Sequence, residues 1–464
     1  MREYCFPEKV IASQGVAFEN LLIRQPLQVG LREEQATAFS KGDYVILDYG
    51  VERRGGVRIL THLGKNVPVR IRFGESMSEC CSELGEKQNA TNDHSLRDFT
   101  VLLQNYSDMS FGQTGFRFVR LDFEGPARIK CIVAESQILK KRARYCYSGN
   151  DARIASIFEV AKRTIDLCVA NGYVWDGIKR DRLVWIGDMS PEVLAITTLY
   201  GRLPEVERSL DLAKKQFPLP LWMNSMPAYS LWWIIILADY YRRTDARTFV
   251  SRQLSYLTGL IGQVSGCVDE VGGLHYPSLF VDWPTHGQPD EEAGVRAISI
   301  YAMKRAIWLL EAFGRDSSSA RAVLDRLLLV EIEVKSSKQV LGLKHFATGL
   351  SEADKKRLTE GGARGMSTFM SYYILKAVAS FDRPLAVEMM KEYYGAMLDK
   401  GATTFWEDFD LSWTENSSRI DALPRDGERD IHGDFGAFCY VGFRHSLCHG
   451  WSAGVIAFME EENL

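Results

Sequence analysis

The chain has 464 residues, a formal net charge of -4 at pH 7, 46% hydrophobic residues and 25% charged residues. Two domains are expected, one of them large, because a single hydrophobic core rarely organises so long a chain. The small negative charge and the scattered Lys and Arg residues exclude the basic surface that nucleic-acid binding requires, and they favour a neutral ligand.

The N-terminal segment predicts a cytoplasmic protein, because an acidic residue stands at position 3 and no apolar run of signal-peptide length follows it. The most apolar segment, residues 231–241, is too short to span a bilayer. It is followed by Arg242 and Arg243. We therefore expect a buried core helix with Trp232 and Trp233 in its interior, and no association with a membrane.

The cysteine and histidine residues predict no disulfide framework and no structural metal. Nine cysteines are spread thinly along the chain, which is typical of free, mostly buried thiols. The most crowded group contains His445, Cys448 and His449. No second cluster supplies the remaining ligands of a zinc site.

Residues 1–145 alternate short apolar runs with turns rich in Gly, Asp and Asn. The period of two predicts strands with one face on a core and the other in water, as in an antiparallel β-sandwich. We therefore expect an N-terminal β-sandwich domain over residues 1–145. Its clearest strands are predicted at 43–50, 56–61, 67–74 and 115–121.

The pattern changes near residue 151, where apolar residues begin to recur at helical spacing until Asn171-Gly172 supplies a stop. No heptad run or short repeat follows, so an α/α barrel fits residues 146–464 better than a coiled coil or solenoid. Loops at one end of such a barrel would build a site, walled by the strand-like segment 272–281. Further helices are predicted at about 190–201, 204–216, 228–243, 246–262, 292–314, 318–331, 352–360, 366–379, 383–399 and 446–459.

The densest group of chemically active side chains lies in residues 176–188, between two predicted helices. Glycines and charges without apolar periodicity indicate a loop there. A solvated charged loop is the alternative, but a sugar pocket needs an aromatic platform beside fixed carboxylates and guanidinium groups, which this segment supplies. The side chains in question are Asp176, Arg180, Asp181, Arg182, Trp185 and Asp188.

Glu407 lies in a second such segment, 401–410, where aromatic residues flank an acid. Cleavage of a glycosidic bond needs two carboxyl groups, which can come from distant parts of the chain. Asp181 and Glu407 could form that pair. Segments 281–284 and 448–452 also join Trp to polar groups; singly each is typical of a buried structural Trp, whereas together they favour a shared pocket.

These motifs resemble those of the α-L-rhamnosidases of glycoside hydrolase family 78. The resemblance extends over nearly the whole chain and is strongest at 176–188, 401–407 and 446–454. Weaker support comes from 46–59 and 112–120. The resemblance implies a catalytic (α/α)6 barrel of the six-hairpin glycosidase type, hydrolysis with inversion at the anomeric carbon, and no cofactor.

By motif position, the resemblance implies that Asp181 is the general acid and Glu407 the general base. The family usually has Glu at the acid position, and Asp181 is one methylene shorter. Many relatives continue into a further β-domain, whereas this sequence stops at Leu464. The residues that the resemblance places around the rhamnose are Asp176, Arg180, Trp185 and Asp188, with Trp283 and His449 at further positions of the pocket.

The expected mechanism keeps Asp181 neutral, through partial burial or the neighbouring carboxyls of Asp176 and Asp188, so that it can protonate the glycosidic oxygen. Glu407 stays ionised and draws a proton from the attacking water. This reaction requires a carboxyl separation of roughly 6.5 to 9.5 Å, whereas roughly 5 Å indicates retention.

The expected partner is a small carbohydrate, such as a rhamnoside, an oligosaccharide or a glycoconjugate, whose methyl edge packs on Trp185 and Trp283. Another terminal deoxy sugar is an alternative, as is a uronic acid paired with Arg180 or Arg182. A non-catalytic carbohydrate-binding relative would account for Asp at position 181. A diphosphate-handling α/α toroid lacks its Asp-Asp-x-x-Asp motif here. Whether the chain forms a homo-oligomer stays open.

Overall fold

The structure is a computed structural model that describes residues 2–30, 36–93, 95–438 and 441–464. A β-rich N-terminal part precedes a helical part, so the predicted mixture of an antiparallel sheet with many helices is confirmed. Two short helices, α1 (Glu19–Leu22) and α2 (Met77–Cys81), accompany the strands. The strands are β1 (Arg2–Cys5), β2 (Lys9–Gln14), β3 (Thr37–Phe39), β4 (Tyr44–Thr61), β5 (Val67–Gly74), β6 (Asp98–Leu103), β7 (Asp108–Phe123) and β8 (Ala127–Gln137).

These strands form one connected antiparallel sheet with the order β1-β8-β4-β7-β5-β6, while β2 pairs with β4 and β3 with β8. The division into two packed sheets, which a sandwich requires, stays a prediction. The side chains of the main core of this sheet alternate along the strands, as the period of two predicted. The expectation that the other face lies in water is wrong for β4, because Ile46 and Leu60 on that face are buried in two smaller clusters. Fully buried examples are Val45, Leu47, Val57, Ile59, Val69, Ile71, Val119 and Leu121.

The predicted strands 43–50 and 56–61 are wrong in one respect, because the structure joins them into the single strand β4. Gly55 and Gly56 suggested a turn, but they allow an irregular register at the point where β4 runs between β7 and β8. A Cβ atom on Gly55 would lie 2.0 Å from the carbonyl oxygen of Glu135. These glycines therefore permit close approach of the neighbouring strands.

Helices dominate after residue 151. Helix α3 begins after Asp151, whose carboxylate accepts hydrogen bonds from the backbone N–H groups of Arg153 and Ile154 and caps the helix. The short hairpin of β9 (Val169–Ala170) and β10 (Tyr173–Val174) follows. The helices are α3 (Ala152–Cys168), α4 (Met189–Tyr200), α5 (Pro204–Gln216), α6 (Pro227–Thr244), α7 (Arg247–Ser251), α8 (Leu254–Ser265), α9 (Glu291–Ala312), α10 (Ser318–Leu327), α11 (Lys338–Ala347), α12 (Glu352–Thr359), α13 (Ser371–Ala379), α14 (Arg383–Asp399) and α15 (Val455–Glu461).

Six of these helices contact one another in a closed cycle, α4-α6-α9-α11-α13-α15, and α15 returns to α4. Every residue of α4 is buried, which is expected of a helix enclosed on all sides. Trp232 and Trp233 lie in α6 with no exposed surface, so their predicted place in the core is confirmed. Helices α8 and α10 pack on α9, and α14 packs on α13 and α3.

The predicted helices differ from the structure at several boundaries, and one helix was missed. The predicted helix 246–262 is two helices, α7 and α8. The predicted helix 446–459 begins only at Val455, after a short 3-10 helix, Gly450–Gly454. Helix α11 was missed; its Gly342 lies against Ile374, where a Cβ atom would approach the backbone nitrogen to 3.0 Å, and it therefore serves close packing of α11 on α13.

Three further expectations concern cysteines, membranes and segment 272–281. The eight cysteines within the described residues are free, as predicted, and Cys439 lies outside them. Among the described helices none has both the length and the apolar character needed to cross a membrane. Segment 272–281 contributes only an isolated bridge between Val268 and Leu274 rather than a strand.

Candidate active site

A cavity of about 230 Å³ lies where several loops meet the N-terminal ends of α4, α6 and α15. Its volume suits one small ring-shaped molecule rather than an extended ligand. The structure brings together all eight residues that the sequence assigned to a site. The lining residues are Asp176, Arg180, Asp181, Trp185, Asp188, Met226, Tyr229, Phe280, Trp283, Glu407, Arg444, His449 and Trp451.

The loop before α4 folds back on itself through Asp176. One carboxylate oxygen of Asp176 accepts a hydrogen bond of 2.8 Å from the backbone N–H of Leu183, and its carbonyl oxygen accepts one of 2.7 Å from Gly450. Asp181 and Arg182 have φ angles of 54° and 57°. Two consecutive non-glycine residues in the left-handed region are unfavourable by about 1 to 3 kcal/mol each, and such strain clusters at functional sites.

The guanidinium of Arg180 joins the two carboxyl groups that the sequence paired. Its Nη1 donates a hydrogen bond of 2.6 Å to Asp181, and its Nη2 donates one of 2.6 Å to Glu407. Because the two amino nitrogens of a guanidinium are about 2.3 Å apart, the two bonded carboxylate oxygens lie at most about 7.5 Å from each other. Nε donates a third bond, of 2.7 Å, to the carbonyl oxygen of Arg444.

Glu407 is fixed at both its side chain and its backbone. Ser446 donates its backbone N–H to Oε2 of Glu407 at 3.0 Å, and Glu407 donates its own N–H to the carbonyl oxygen of Ser446 at 2.9 Å. Trp451 Nε1 and the Thr368 hydroxyl both donate to the carbonyl oxygen of Glu407. Burial raises the pKa of Glu407, and the contact with Arg180 opposes that rise.

Burial favours the neutral form of two further carboxyl groups in the cavity. Burial, followed by repulsion from Asp188, raises the pKa of Asp176 well above its usual range. Burial raises the pKa of Asp188 to about 8, although the Tyr229 hydroxyl donates a hydrogen bond of 2.8 Å to it. Protonated carboxyls both donate and accept hydrogen bonds, as the hydroxyl groups of a sugar require.

His449 lies between two of these acids, with Nε2 at 3.8 Å from Asp188 and 3.7 Å from Glu407. Burial, with repulsion from Arg180, lowers the pKa of His449 well below its usual range. A neutral imidazole carries one donor and one acceptor nitrogen. Burial therefore favours the uncharged form of three polar groups of the cavity, those of Asp176, Asp188 and His449.

Aromatic rings form the remaining wall. Trp185 and Tyr229 meet edge to face with ring centroids 6.1 Å apart, and Phe280 and Trp283 do so at 5.2 Å. Trp283 also stacks on Phe438 at 5.6 Å. Such rings present an apolar surface to the hydrophobic face of a ligand.

The sequence missed Met226, Tyr229 and Arg444, whereas Phe280 belongs to segment 272–281, which was expected to wall the pocket. Met226 and Tyr229 begin the apolar helix α6, so their pattern indicated core rather than site. Trp451 lies in segment 448–452, which the sequence analysis joined with 281–284 as part of a shared pocket, and it both lines the cavity and donates to the backbone carbonyl oxygen of Glu407. The missed residues share no acid-aromatic motif that could have identified them.

The sequence also made predictions about the charged groups next to Asp181. The sequence predicted that partial burial or the carboxyls of Asp176 and Asp188 keep Asp181 neutral; in the structure the Arg180 cation donates a hydrogen bond to Asp181, and neutrality stays a prediction. Arg180 lines the cavity, with its guanidinium hydrogen-bonded to two carboxyls, and its contact with a sugar stays a prediction. Arg182 donates to the carbonyl oxygen of Gln113 and is absent from the cavity lining.

One group within the described ranges has the spacing of a metal site: Glu75, Glu79 and His432. Lys179 Nζ lies 2.8 Å from Glu79 and supplies a positive charge there. The ring nitrogens of His432 contact the Ser76 hydroxyl and the carbonyl oxygen of His445. These contacts account for the cluster without an ion, and the absence of a structural metal stays a prediction.

The structure thus joins a β-sheet part to a closed cycle of helices, with an acidic and aromatic cavity among the loops that meet the cycle. No family model matches the chain, and no curated protein matches it. Among solved structures, the chain is similar to a rhamnosidase from Klebsiella oxytoca with rhamnose bound. That similarity has a TM-score of 0.78 and 20% identity, and covers 100% of this chain and 96% of that chain.

Two larger structures are also similar. A GH78 family rhamnosidase of Bacillus sp. GL1 gives a TM-score of 0.69 at 19% identity, covering 95% of this chain and 48% of that chain. Streptomyces avermitilis α-L-rhamnosidase complexed with L-rhamnose gives 0.65 at 14% identity, covering 90% and 42%. The predicted resemblance to family 78 is therefore confirmed for the fold.

Proposed function

We propose that the chain is a glycoside hydrolase that cleaves terminal α-L-rhamnosides with inversion at the anomeric carbon. One observation carries the proposal: the Arg180 guanidinium is hydrogen-bonded to carboxyls from two distant loops, those of Asp181 and Glu407. All three side chains line one cavity with aromatic walls. In this proposal residues 1–145 form a β-sandwich domain. Residues 146–464 form an (α/α)6 barrel, which the closed cycle of six helices supports.

The cavity favours a neutral sugar with an apolar edge. Burial favours the uncharged forms of Asp176, Asp188 and His449, and uncharged carboxyl and imidazole groups suit hydroxyls that both donate and accept hydrogen bonds. Trp185 and Trp283 would pack on the methyl edge of a deoxy sugar. The similar structures from Klebsiella oxytoca and Streptomyces avermitilis contain bound rhamnose.

In the proposed reaction Asp181 protonates the leaving oxygen and Glu407 accepts a proton from the attacking water. The upper bound of about 7.5 Å between their bonded oxygens admits the lower part of the range of roughly 6.5 to 9.5 Å that inversion needs, and it also admits the roughly 5 Å of a retaining enzyme. Inversion in this proposal therefore rests on the resemblance to family 78. Arg180 would stabilise the carboxylate left on Asp181 after proton transfer. The raised pKa of Glu407 suits a base, since a base with a pKa nearer the working pH accepts a proton more readily.

The test is hydrolysis of a panel of aryl glycosides, among them the α-L-rhamnoside, other deoxy sugars and uronic acids. Glu407→Gln should lower kcat on the rhamnoside by several orders of magnitude and leave binding nearly unchanged. The matched control is Glu415→Gln, since Glu415 is an exposed glutamate eight residues further on, with 66% of its side chain accessible. Wild-type turnover in Glu407→Gln would remove Glu407 from the mechanism.

The acid role of Asp181 is tested with leaving groups. If Asp181 is the acid, Asp181→Asn retains much more activity on aryl rhamnosides with good leaving groups than on those with poor ones. An equal loss on all substrates would assign Asp181 to binding instead.

The alternatives give different results in the same panel. A uronic acid needs a cation. Arg180 is hydrogen-bonded to two carboxyls and Arg182 is absent from the cavity lining, but Arg444 lines the cavity and could supply the charge. Preferential hydrolysis of a uronide would replace the proposed substrate. Calorimetric binding of L-rhamnose without hydrolysis of any glycoside would identify a non-catalytic carbohydrate-binding protein.

A further inference from the structure

Glu75 connects the β-sheet part of the chain to the loop that holds Glu407. It follows the last residue of β5 and has no exposed surface. One oxygen of its carboxyl, Oε2, accepts a hydrogen bond of 2.6 Å from the backbone N–H of Leu447. The other, Oε1, accepts one of 3.2 Å from the Ser446 hydroxyl. Both oxygens of the Glu75 carboxyl therefore accept hydrogen bonds from one short loop of the helical part, at residues 446 and 447.

The backbone of Ser446 forms two hydrogen bonds with Glu407. Its N–H donates to Oε2 of Glu407 at 3.0 Å, and its carbonyl oxygen accepts from the Glu407 N–H at 2.9 Å. A shift of Ser446 therefore moves the oxygen that the proposed base presents to water. Glu75 contacts Ser446, and Ser446 in turn contacts the proposed base Glu407, so one residue separates Glu75 from the base.

A second connection reaches Arg180. Lys179 Nζ lies 3.5 Å from Glu75 and 2.8 Å from Glu79, and it also donates to the carbonyl oxygens of Phe443 and His445. Lys179 is buried and directly precedes Arg180, which bonds both active-site carboxyls. The same two glutamates therefore anchor the chain on both sides of the cavity.

We propose that Glu75 is a positioning residue of the active site, which holds the Ser446-Leu447 loop so that Glu407 points at the attacking water. This inference rests on the proposed hydrolase function. It makes the β-sheet part a component of the catalytic machinery rather than an appended module. An error of about 1 Å in such a geometry can cost about 100-fold in turnover.

A purely structural role predicts something different. A buried carboxyl that only stabilises the fold would, when removed, lower the melting temperature and leave the kcat of the folded fraction unchanged. A positioning residue instead lowers kcat per folded molecule and leaves KM nearly constant, because the groups that bind the sugar do not contact Glu75.

The experiment compares three substitutions at Glu75 with a control in the same part of the chain. Glu75→Ala should lower kcat on an aryl rhamnoside by about 100-fold, with KM changed less than about threefold. Glu75→Asp keeps the charge but is one methylene shorter, and should lower kcat by about tenfold. Glu75→Gln keeps an oxygen acceptor for the Leu447 N–H, and kcat should stay within about threefold of wild type.

Glu83→Gln is the matched control, because Glu83 pairs with Arg70 and Arg72 within the β-sheet part and its side chain is 55% exposed. It should leave kcat and KM unchanged. Wild-type kcat in both Glu75→Ala and Glu75→Asp would overturn the inference. So would a loss in Glu75→Gln as large as in Glu75→Ala. If Glu75→Ala does not fold, Glu75→Asp alone decides.

A crystal structure of Glu75→Asp separates this inference from the proposed function. The distance from the Ser446 nitrogen to Oε2 of Glu407, 3.0 Å in the wild-type chain, should lengthen by about 0.5 Å or more. An unchanged distance would overturn the positioning role whatever the enzyme hydrolyses. If the wild-type protein hydrolyses no glycoside, the proposed function fails, and this distance still decides the role of Glu75.

Discussion

Replacement of Asp188 by Asn should make the stability of the protein less sensitive to alkaline pH. Asp188 lies in the cavity with 5% of its surface exposed, and burial raises its pKa to about 8. The folded chain therefore binds this proton more tightly than the unfolded chain does. Its favourable contribution is complete below the unfolded pKa of about 4 and is lost as the pH rises towards 8.

The size of the effect follows from proton linkage. One such carboxyl lowers the free energy of unfolding by up to about 1.4 kcal/mol for each pH unit between its two pKa values. Between pH 5 and pH 8 the wild-type chain should therefore lose about 3 kcal/mol relative to Asp188→Asn. Tyr229 can still donate to an amide oxygen. Any loss of packing is independent of pH and cancels in this comparison.

The assay is thermal unfolding of wild type and Asp188→Asn at several pH values from 5 to 9. About 1 kcal/mol corresponds to about 1 °C for a chain of this length, so the difference in melting temperature should change by about 3 °C in favour of the variant. Asp325→Asn, at an exposed position on α10, is the control and should run parallel to wild type. Parallel curves for Asp188→Asn would refute the reasoning that Asp188 is buried and neutral.

Three further substitutions test the cavity. Arg180→Met removes the cation that holds down the pKa of Glu407, so the acid limb of the profile of kcat/KM against pH should move to higher pH; an unmoved limb would contradict the contact. Trp185→Ala should raise the KM of an aryl rhamnoside by about tenfold, since it deletes an aromatic surface worth about 1.5 kcal/mol, and an unchanged KM would place the sugar elsewhere. Gly450→Ala would place a Cβ atom 1.8 Å from Oε1 of Glu192, so the free energy of unfolding should fall by about 2 kcal/mol, and a wild-type value in denaturant titration would show that the loop relaxes freely.

The pattern of apolar residues in the sequence predicted those helices and strands whose surroundings stay the same along their length. Helix α6 was evident because its apolar run matches a helix enclosed on all sides. The strands of the N-terminal part were evident because the residues of their main core alternate along them. Helix α11 was missed, and the sequence alone does not show the role of its Gly342. Only the contact with Ile374 shows that close packing requires a glycine there.

The site was predictable where acids and tryptophans occur together in a loop. Asp181 and Glu407 were paired from such motifs, and both line the cavity. The sequence could not reveal Glu75, because its function depends on a fold that brings it to Leu447, 372 residues away. Nor could it reveal that Arg180 bridges two carboxyls, since that contact exists only once both loops are in place.

The most direct test of the proposed hydrolase is proton NMR of the sugar that the wild-type protein releases from an aryl α-L-rhamnoside. The two carboxyls acting from opposite faces should yield the β anomer of L-rhamnose first, followed by slow mutarotation. Initial release of the α anomer would contradict inversion. Release of no rhamnose at all would contradict the hydrolase.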